Sequence, residues 1–300
     1  GIDLGGTKTE GLLLGEDGSE HRVRVASARS YEGTLDVIVG LVAELDARAA
    51  RLCTVGVGIP GSLSPITGLV RNANSTWLEG HPLDRDLAAR LDRPVRVSND
   101  ANCFALSEAA DGAAVGADPV FGVILGTGVG GGVVVDGRVV DGAGGIAGEW
   151  GHMPLPVAAR GEFPGPSCWC GRRGCVETWL SGPAMAADHE RSTGRALDAA
   201  EIARSALEGD VACVATIDRY VDRLGRALAV VVDIVDPEVV VLGGGVSNVP
   251  GLAERVAGAV RPHVFSDAPA VRVVPNRHGD SSGVRGAAWL WAPSESRFEL

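Results

Sequence analysis

Asp3-Leu4-Gly5-Gly6-Thr7-Lys8 is a glycine-rich turn that begins at the end of the first predicted strand. Glycine lets such a turn adopt positive φ and lets backbone N–H groups approach phosphate oxygens, while threonine and lysine add further donors. Two more glycine-rich turns follow runs of strand-forming residues, at Gly126-Thr127-Gly128 and at Gly243-Gly244-Gly245. Any one of them alone is compatible with an ordinary hairpin turn. All three together, with an aspartate leading the first, predict a phosphate-binding site.

The segments between these turns follow a pattern that occurs once in each half of the chain. In each half a strand pair turns tightly around glycines, and helices then cross between further strands. We predict helices at 35–45, 83–91, 101–114, 181–192, 198–208, 211–235, 249–260 and 282–291. We predict strands at 2–3, 9–14, 21–25, 54–59, 95–97, 120–125, 238–242 and 271–274, and a hairpin at 133–140. The pattern indicates an α/β protein of two lobes with a cleft between them.

The spacing of the glycines excludes two common nucleotide sites. None of the turns matches the P-loop pattern Gly-x-x-x-x-Gly-Lys-Ser/Thr. The middle turn is followed by the predicted hairpin, where a dinucleotide-binding fold would have a helix. The sequence therefore predicts neither a P-loop nor a Rossmann site.

The composition indicates a globular chain and argues against two classes of partner. Its 300 residues, 45% of them hydrophobic and 22% charged, can bury a sizeable core. The formal net charge of −11 disfavours binding to nucleic acid or anionic lipid, which depends on clustered Lys and Arg. No run approaches the roughly 18 apolar residues of a spanning helix, and no leader with a cleavage site is evident. We expect a cytoplasmic protein that has neither nucleic acid nor a membrane as its partner.

Three of the six cysteines lie within eight residues, Cys168-Trp169-Cys170-Gly171-Arg172-Arg173-Gly174-Cys175, and His152 precedes them. Thiolates and imidazoles bind soft and borderline metals, and such close spacing is typical of metal sites. The other three cysteines are scattered in apolar settings, at Cys53, Cys103 and Cys213. We therefore predict a metal site in a reducing compartment rather than three disulfides.

The segment Ser98-Asn99-Asp100-Ala101-Asn102 lies where a predicted strand ends and a predicted helix begins. A carboxylate there can point into the cleft near the positive end of the helix dipole. It can also accept the proton of a hydroxyl group that attacks a phosphate, as carboxylates do in kinases. Asn and Asp are common helix caps as well, so the local sequence leaves Asp100 open between a general base and a cap.

Two patterns around these residues resemble known families. Glu149-Trp150-Gly151-His152, followed by the Cys-x-Cys-Gly-x-x-Gly-Cys-x-Glu pattern that ends at Glu177, is similar to the signature of the ROK family of repressors, open reading frames and kinases. The three glycine-rich turns resemble the nucleotide site of the actin-like ATPase and sugar kinase superfamily. The resemblance covers nearly the whole chain and implies an actin-like ATPase (ribonuclease H-like) fold. We expect a smaller lobe of residues 1–114 and 284–300 and a larger lobe of residues 115–283.

The resemblance also implies an ATP site with Mg²⁺ and a zinc site. ATP would contact Asp3, Gly5, Gly6, Thr7, Lys8, Gly126, Thr127, Gly128, Gly243, Gly244 and Gly245. Asp3 would in addition hold Mg²⁺, directly or through water. The zinc ligands of the family correspond to His152, Cys168, Cys170 and Cys175. A Cys₃His set closes a tetrahedral shell and leaves no position for substrate, so the zinc would be structural.

A hexose site is the third implication of the resemblance, with Asp100 as the general base that accepts the proton of the 6-hydroxyl. The expected sugar contacts are Gly61, Ser62, Asn74, Asn99, Asp100, Glu149, His152 and Glu177. One ring nitrogen of His152 would bind the metal while the other faces the sugar. The local sequence leaves a solvated surface acid as the alternative for Glu177.

The choice of hexose depends on segments that differ in what they resemble. Residues 58–62, 71–77 and 278–289 resemble the fructokinases of the family, for which mannose is a related substrate. The polar side chains of Ser62, Asn74 and Ser75 suit hydroxyls better than an acetamide methyl group, so we expect an ATP-dependent fructose 6-kinase. Residues 99–108, 125–132 and 151–156 look equally like the N-acetylglucosamine kinases. That activity, or a glucokinase activity, is therefore the alternative.

Two further alternatives come from other functional classes. The family includes sugar-responsive repressors, in which a helix-turn-helix precedes the first phosphate loop. The acidic charge and the place of Asp3 at the start of this sequence lead us to expect an enzyme instead. A degenerate kinase that only binds sugar is disfavoured because Asp3, Gly6, Thr127 and Asp100 are all present. We expect a hexose and ATP as partners and, by family resemblance, a homodimer.

Overall fold

The computed structural model describes residues 1–15, 17–268 and 270–291. The strands are β1 (Ile2–Leu4), β2 (Lys8–Leu14), β3 (Glu20–Ala26), β4 (Val55–Ile59), β5 (Ser62–Leu63), β6 (Val70–Arg71), β7 (Val95–Asn99), β8 (Val120–Leu125), β9 (Val129–Val135), β10 (Arg138–Val139), β11 (Val239–Gly243) and β12 (Arg272–Pro275). The α-helices are α1 (Tyr31–Ala49), α2 (Leu83–Leu91), α3 (Asp100–Ala110), α4 (Glu177–Leu180), α5 (Gly182–Thr193), α6 (Ala199–Leu207), α7 (Val211–Val235), α8 (Leu252–Val260) and α9 (Ser282–Trp289). Short 3₁₀ helices lie at Thr76–Leu78, Trp150–His152, Gly245–Asn248, Arg261–His263 and Gly279–Ser281.

Two five-stranded sheets of the described chain have the same topology. The first has the order β3-β2-β1-β4-β7 and the second has the order β10-β9-β8-β11-β12. In each sheet the first three strands form an antiparallel meander. The other two strands are added in parallel, and parallel neighbours need crossover connections, which here contain helices. The expectation of an α/β chain whose two halves repeat one pattern is confirmed.

The second sheet is covered by helices on both faces, which explains why β11 is a continuous apolar run. Val240 and Leu242 pack into one apolar cluster with residues of α7 and α8. Val239 and Val241 point to the opposite face and pack with Phe104 of α3. In the first sheet, α1 supplies the apolar cover of one face.

Helices α3 and α9 lie between the two sheets and pack against each other. Glycines allow the close approach at each contact, because a Cβ atom would collide with the opposing backbone. A Cβ on Gly132 of β9 would lie 2.7 Å from the oxygen of Ala101 in α3. A Cβ on Gly56 of β4 would lie 1.9 Å from the oxygen of Ala287 in α9. Helix α3 thus connects the end of β7 in the first sheet to the face of the second sheet.

Several predicted boundaries shift for local reasons. The helix predicted at 101–114 ends at Ala110, where the carboxylate of Glu108 accepts a hydrogen bond from the backbone N–H of Ala113 at 2.8 Å. The helix predicted from 249 begins at Leu252, because Gly251 has a left-handed φ of 71°. The β5–β6 hairpin and α4 were not predicted from periodicity, since both are too short to show it. The lobe boundaries stay a prediction, and residues 292–300 of the smaller lobe lie outside the described residues.

None of the helices in the described ranges combines the length and the hydropathy that a membrane span requires.

The contact between α3 and α9 can be tested with two glycine substitutions. A Cβ on Gly286 of α9 would lie 1.6 Å from the backbone oxygen of Cys103, which cannot move without separating the helices. We expect Gly286→Ala to lower the free energy of unfolding by about 3 kcal/mol or more. Gly258→Ala is the matched control, because Gly258 lies in α8 with open space beside it. For Gly258→Ala we expect the free energy of unfolding to rise by about 0.5 to 1 kcal/mol. Denaturant titrations check both, and equal effects would contradict the packing.

Candidate functional site

A cavity of about 610 Å³ opens at the N-terminal end of α3, and residues from both halves of the chain line it. Six of the residues predicted from the sequence take part, namely Asp3, Gly5, Gly6, Asn74, Asp100 and Gly244. The topology explains this convergence, since β1, β7 and β11 all end at the cavity. The carboxyl ends of parallel strands are where α/β proteins place their ligands.

The first glycine-rich turn joins β1 to β2 at the edge of the cavity. The N–H of Gly5 donates to the backbone oxygen of Lys8 at 3.1 Å, and the hydroxyl of Ser27 donates to the oxygen of Gly5 at 2.7 Å. These bonds hold the turn, while Gly6, Thr7 and Lys8 are exposed. Open space lies beside Gly6. The turn therefore presents its backbone and polar side chains outward, as a phosphate site needs.

Asp100 is the first residue of α3, but Asn99 is the residue that caps the helix. The side-chain oxygen of Asn99 accepts a hydrogen bond from the N–H of Ala101 at 2.9 Å. Its amide group donates to the backbone oxygen of Gly61 at 3.0 Å, which ties this end of α3 to the turn after β4. The carboxylate of Asp100 also accepts from Ala101, at 2.8 Å, and lines the cavity. Because Asn99 provides the cap, Asp100 is available for chemistry.

The two carboxyl groups in the cavity are held away from their usual ionisation range. Desolvation within the cavity raises the pKa of Asp100 to about 6 although the residue keeps contact with solvent, the hydrogen bond from Ala101 opposes the rise, and the charge of Glu149 adds to it. Burial also raises the pKa of Asp3 to about 7, and the charges of Asp100 and Glu10 raise it further against the opposing effect of Lys8. A divalent cation would offset this repulsion, so the pair fits Mg²⁺. Perturbed carboxyl groups in a cavity are typical of catalytic sites.

The third glycine-rich turn packs against β8, the strand that leads into the second turn. The N–H of Gly126 donates to the oxygen of Gly128 at 3.0 Å, which closes the second turn, and Thr127 lies exposed at its tip. Gly244 has a φ of 82°, and a Cβ there would lie 2.5 Å from the oxygen of Leu125. A Cβ on Gly243 would lie 2.4 Å from the ring of Phe104. Close packing therefore requires glycine at 243 and 244, and their contact with ATP stays a prediction, as does that of exposed Gly245.

The structure brings the four predicted metal ligands together. The ligand atoms of His152, Cys168, Cys170 and Cys175 all lie within 4.8 Å of one another. Nδ1 of His152 is 3.6 Å from Sγ of Cys168, and Sγ of Cys170 is 3.7 Å from Sγ of Cys175. Tetrahedral zinc with bonds of about 2.3 Å to sulfur and about 2.0 Å to nitrogen separates a nitrogen ligand from a sulfur ligand by about 3.5 Å and two sulfur ligands by about 3.8 Å. The donor set and these two spacings fit a closed structural Zn²⁺.

The residues that line the cavity do not include the remaining predicted sugar contacts, which are Gly61, Ser62, Asn99, Glu149, His152 and Glu177. Glu149 is exposed directly before the 3₁₀ helix that carries His152. Glu177 is half-buried, and its two carboxylate oxygens accept from the indole N–H of Trp169 at 2.7 Å and from the N–H of Val129 at 3.0 Å. It is therefore not the solvated surface acid that the local sequence had left as an alternative. The hydroxyl of Ser62 accepts from the guanidinium of Arg71 at 3.4 Å.

Several residues that line the cavity were missed by the sequence interpretation. Arg29 is an exposed cation beside the first turn, and Pro60, Trp77 and Phe104 supply apolar surface. Ser282 is the first residue of α9, and its hydroxyl donates to the buried carboxylate of Glu108 at 2.9 Å. Trp77 and Ser282 lie in segments that the resemblance had singled out, so a search of those segments for cavity residues could have found them. No periodic or motif signal marks Arg29.

Comparisons with known proteins agree with this arrangement. The model of the ROK family matches residues 1–294. The N-acetyl-D-glucosamine kinase of Escherichia coli (strain K12 / DH10B) is 43% identical over 299 residues, which are 97% of this chain and 98% of that protein. A ROK hexokinase from Thermus thermophilus has a TM-score of 0.85 with 33% identity, over 97% of this chain and 96% of that chain. A ROK glucokinase from Streptomyces griseus, in complex with glucose and AMPPNP, has a TM-score of 0.77 with 28% identity, over 96% of this chain and 97% of that chain.

The metal cluster can be tested by removing one ligand. We expect the purified chain to carry about one zinc ion, and we expect Cys170→Ala to lose it. Because the cluster holds His152 and supports Glu177, sugar affinity should fall about tenfold or more, while nucleotide affinity changes little. Metal analysis and calorimetry with each ligand check this. Cys53→Ala, at a half-buried cysteine outside the cluster, is the control. Unchanged sugar affinity in the zinc-free variant would remove the cluster from the sugar site.

Proposed function

The chain belongs to the ROK family and is a sugar kinase, and from that premise we propose that it transfers the γ-phosphoryl group of ATP to the 6-hydroxyl of N-acetyl-D-glucosamine. The observation that carries the proposal is the 43% identity to N-acetyl-D-glucosamine kinases over 97% of the chain. Their lengths agree as well, since 98% of each relative is covered. The proposal adopts the alternative to fructose that the sequence had left open.

The expectation of fructose is not supported by these relatives, and the cavity suggests a physical reason. It rested on the polar character of Ser62, Asn74 and Ser75. Asn74 and Ser75 do line the cavity, but Ser62 does not, and its hydroxyl accepts a hydrogen bond from Arg71. The same wall also contains apolar Pro60 and Trp77. A wall that offers both hydrogen-bonding groups and apolar surface suits an acetamide, whose carbonyl and N–H need partners while its methyl group does not.

The proposed reaction uses Asp100 as the general base. The oxygen of the 6-hydroxyl forms a bond to the γ-phosphorus while the bond from that phosphorus to the bridging oxygen of ADP breaks. The hydroxyl proton passes to the carboxylate of Asp100, which is ionised at neutral pH because its pKa is about 6. Mg²⁺, when bound near Asp3, would neutralise charge on the phosphates. Arg29 and Lys8 place two more positive charges near the first turn.

The sugar itself would be held by groups on both sides of the cavity. Asn99 fixes Gly61 through its amide hydrogen bond and so positions the turn that faces the sugar. Glu149, His152 and Glu177 would bind the other hydroxyls, since carboxylates and imidazoles accept hydrogen bonds from a polyol. The homodimer stays a prediction from the family resemblance.

The choice of sugar is tested by comparing kcat/KM for N-acetylglucosamine, glucose, mannose and fructose with saturating Mg²⁺ and ATP. We expect N-acetylglucosamine to lead by at least about tenfold, because loss of a group with paired hydrogen bonds costs at least about 1.4 kcal/mol. A lead for glucose would assign the chain to the glucokinases of the family. A lead for fructose would restore the first expectation, and in either case the kinase assignment stands.

The role of Asp100 is tested by the pH dependence of turnover. At saturating Mg²⁺ and ATP, kcat/KM for the sugar should fall about tenfold per pH unit below about pH 6 and level off above it. The fall occurs on the acid side because protonation removes the base. Asp100→Asn should lower kcat by about 10²- to 10⁴-fold while sugar still binds. Asp218→Asn, at an exposed aspartate of α7, is the control and should leave both unchanged. Near-normal turnover of Asp100→Asn would exclude Asp100 as the base.

A further inference from the structure

Trp169 lies between two cysteines of the metal cluster, and its side chain is largely exposed. It is 67% exposed, which is unusual for so large an apolar side chain. Its indole N–H donates to Oε1 of Glu177 at 2.7 Å. A short hydrogen bond to a carboxylate is among the stronger ones that an exposed residue can make. The indole of this exposed tryptophan is therefore held by one specific partner, the carboxylate of Glu177.

The same indole contacts a second residue of the proposed sugar site. Its ring lies edge-to-face against the imidazole of His152, with the centroids 4.9 Å apart and the planes at 84°. Such a pair restricts the rotation of both rings. Trp169 therefore contacts Glu177 through its N–H group and His152 through its ring. Neither contact involves the apolar core, so they contribute little to overall stability.

Glu177 is held from the opposite side by the second glycine-rich turn. Its Oε2 accepts from the N–H of Val129 at 3.0 Å, and a Cβ on Gly128 would lie 2.7 Å from the same oxygen. Each carboxylate oxygen has about two acceptor positions, so both oxygens keep one for a further donor. The terminal torsion of a glutamate is broad when nothing restricts it. With both bonds in place, the plane of the carboxylate is fixed, and the remaining acceptor position of each oxygen points in a defined direction.

We propose that Trp169 is a positioning residue for the sugar, which aligns the Glu177 carboxylate so that its free acceptor positions meet the sugar hydroxyls. The inference rests on the proposed function in one respect, that Glu177 contacts the sugar. Trp169 itself need not touch the substrate. Its indole connects the metal loop to Glu177, and Glu177 in turn connects to the turn that ends at Gly128. The metal loop thereby contributes to sugar affinity through a side chain that binds no metal.

Two substitutions of Trp169 separate the contribution of its N–H group to sugar affinity from that of its ring. Trp169→Phe keeps an aromatic ring beside His152 but removes the N–H group, and Trp169→Leu removes both. We expect the dissociation constant of N-acetylglucosamine, measured by calorimetry without ATP, to rise about 5- to 10-fold for Trp169→Phe and further for Trp169→Leu. The KM for ATP should change less than about 2-fold, because Glu177 keeps its bond to Val129. Zinc content and melting temperature should stay unchanged. Phe265→Leu, at a 99% exposed aromatic residue, is the control.

A double-mutant cycle shows whether Trp169 acts through Glu177. If it does, Trp169→Phe should have no further effect on sugar affinity in a Glu177→Gln background. Additive effects, or an ATP KM that rises as much as the sugar dissociation constant, would overturn the inference. If Glu177→Gln weakens the sugar and Trp169→Phe does not, the inference fails and the proposed function stands. If Glu177→Gln leaves sugar affinity unchanged, the sugar role of Glu177 and this inference both fail, whereas phosphorylation of N-acetylglucosamine would still support the proposed substrate.

Discussion

The close contact of α3 with its neighbours is the constraint on which the rest of the structure depends. Gly132 of β9 lets the first turn of α3 approach the second sheet, and Gly286 lets α9 approach the other side. A side chain at either position would push the helix outward. Because Asp100 is the first residue of α3, that displacement would move the proposed base relative to the phosphate turns. The glycines that look like simple packing residues therefore determine where the chemistry can occur.

The cavity combines parts that the chain cannot place by local structure alone. Asp3 comes from the first sheet and Asp100 from the start of α3, and burial together with their mutual repulsion raises the pKa of Asp3 to about 7. Glu108, near the other end of α3, holds the start of α9 through Ser282. Both ends of α3 thus contribute to the cavity. The N-terminal end presents a carboxylate to the cavity, and the C-terminal end anchors the start of α9, which lines it.

Much of this arrangement could be predicted from the sequence, and the exceptions have physical causes. The cysteine spacing predicted the cluster because ligands close in sequence need only a tight turn to meet. Two of the three glycine-rich turns reach the cavity, because β1 of the first sheet and β11 of the second both end there. Asn99 as the cap, and the indole of Trp169 as the partner of Glu177, could not be predicted, because each depends on which side-chain rotamer the surrounding fold allows. Arg29 lies in a connection without periodicity, so its place beside the first turn follows only from the folded chain.

The preference between sugars could not be predicted from residue types alone. Ser62, Asn74 and Ser75 are polar in the sequence, but a polar side chain recognises a substrate only if folding places it in the cavity, and of these three Ser62 is not among the lining residues. Ser62 accepts from Arg71, and Arg71 also donates to the backbone oxygen of Gly145 at 3.3 Å, in the loop that leads to Glu149. That hydroxyl therefore serves a contact between the β5–β6 hairpin and this loop. Specificity then depends on the polar groups that folding brings into the cavity, together with the apolar surface of Pro60 and Trp77.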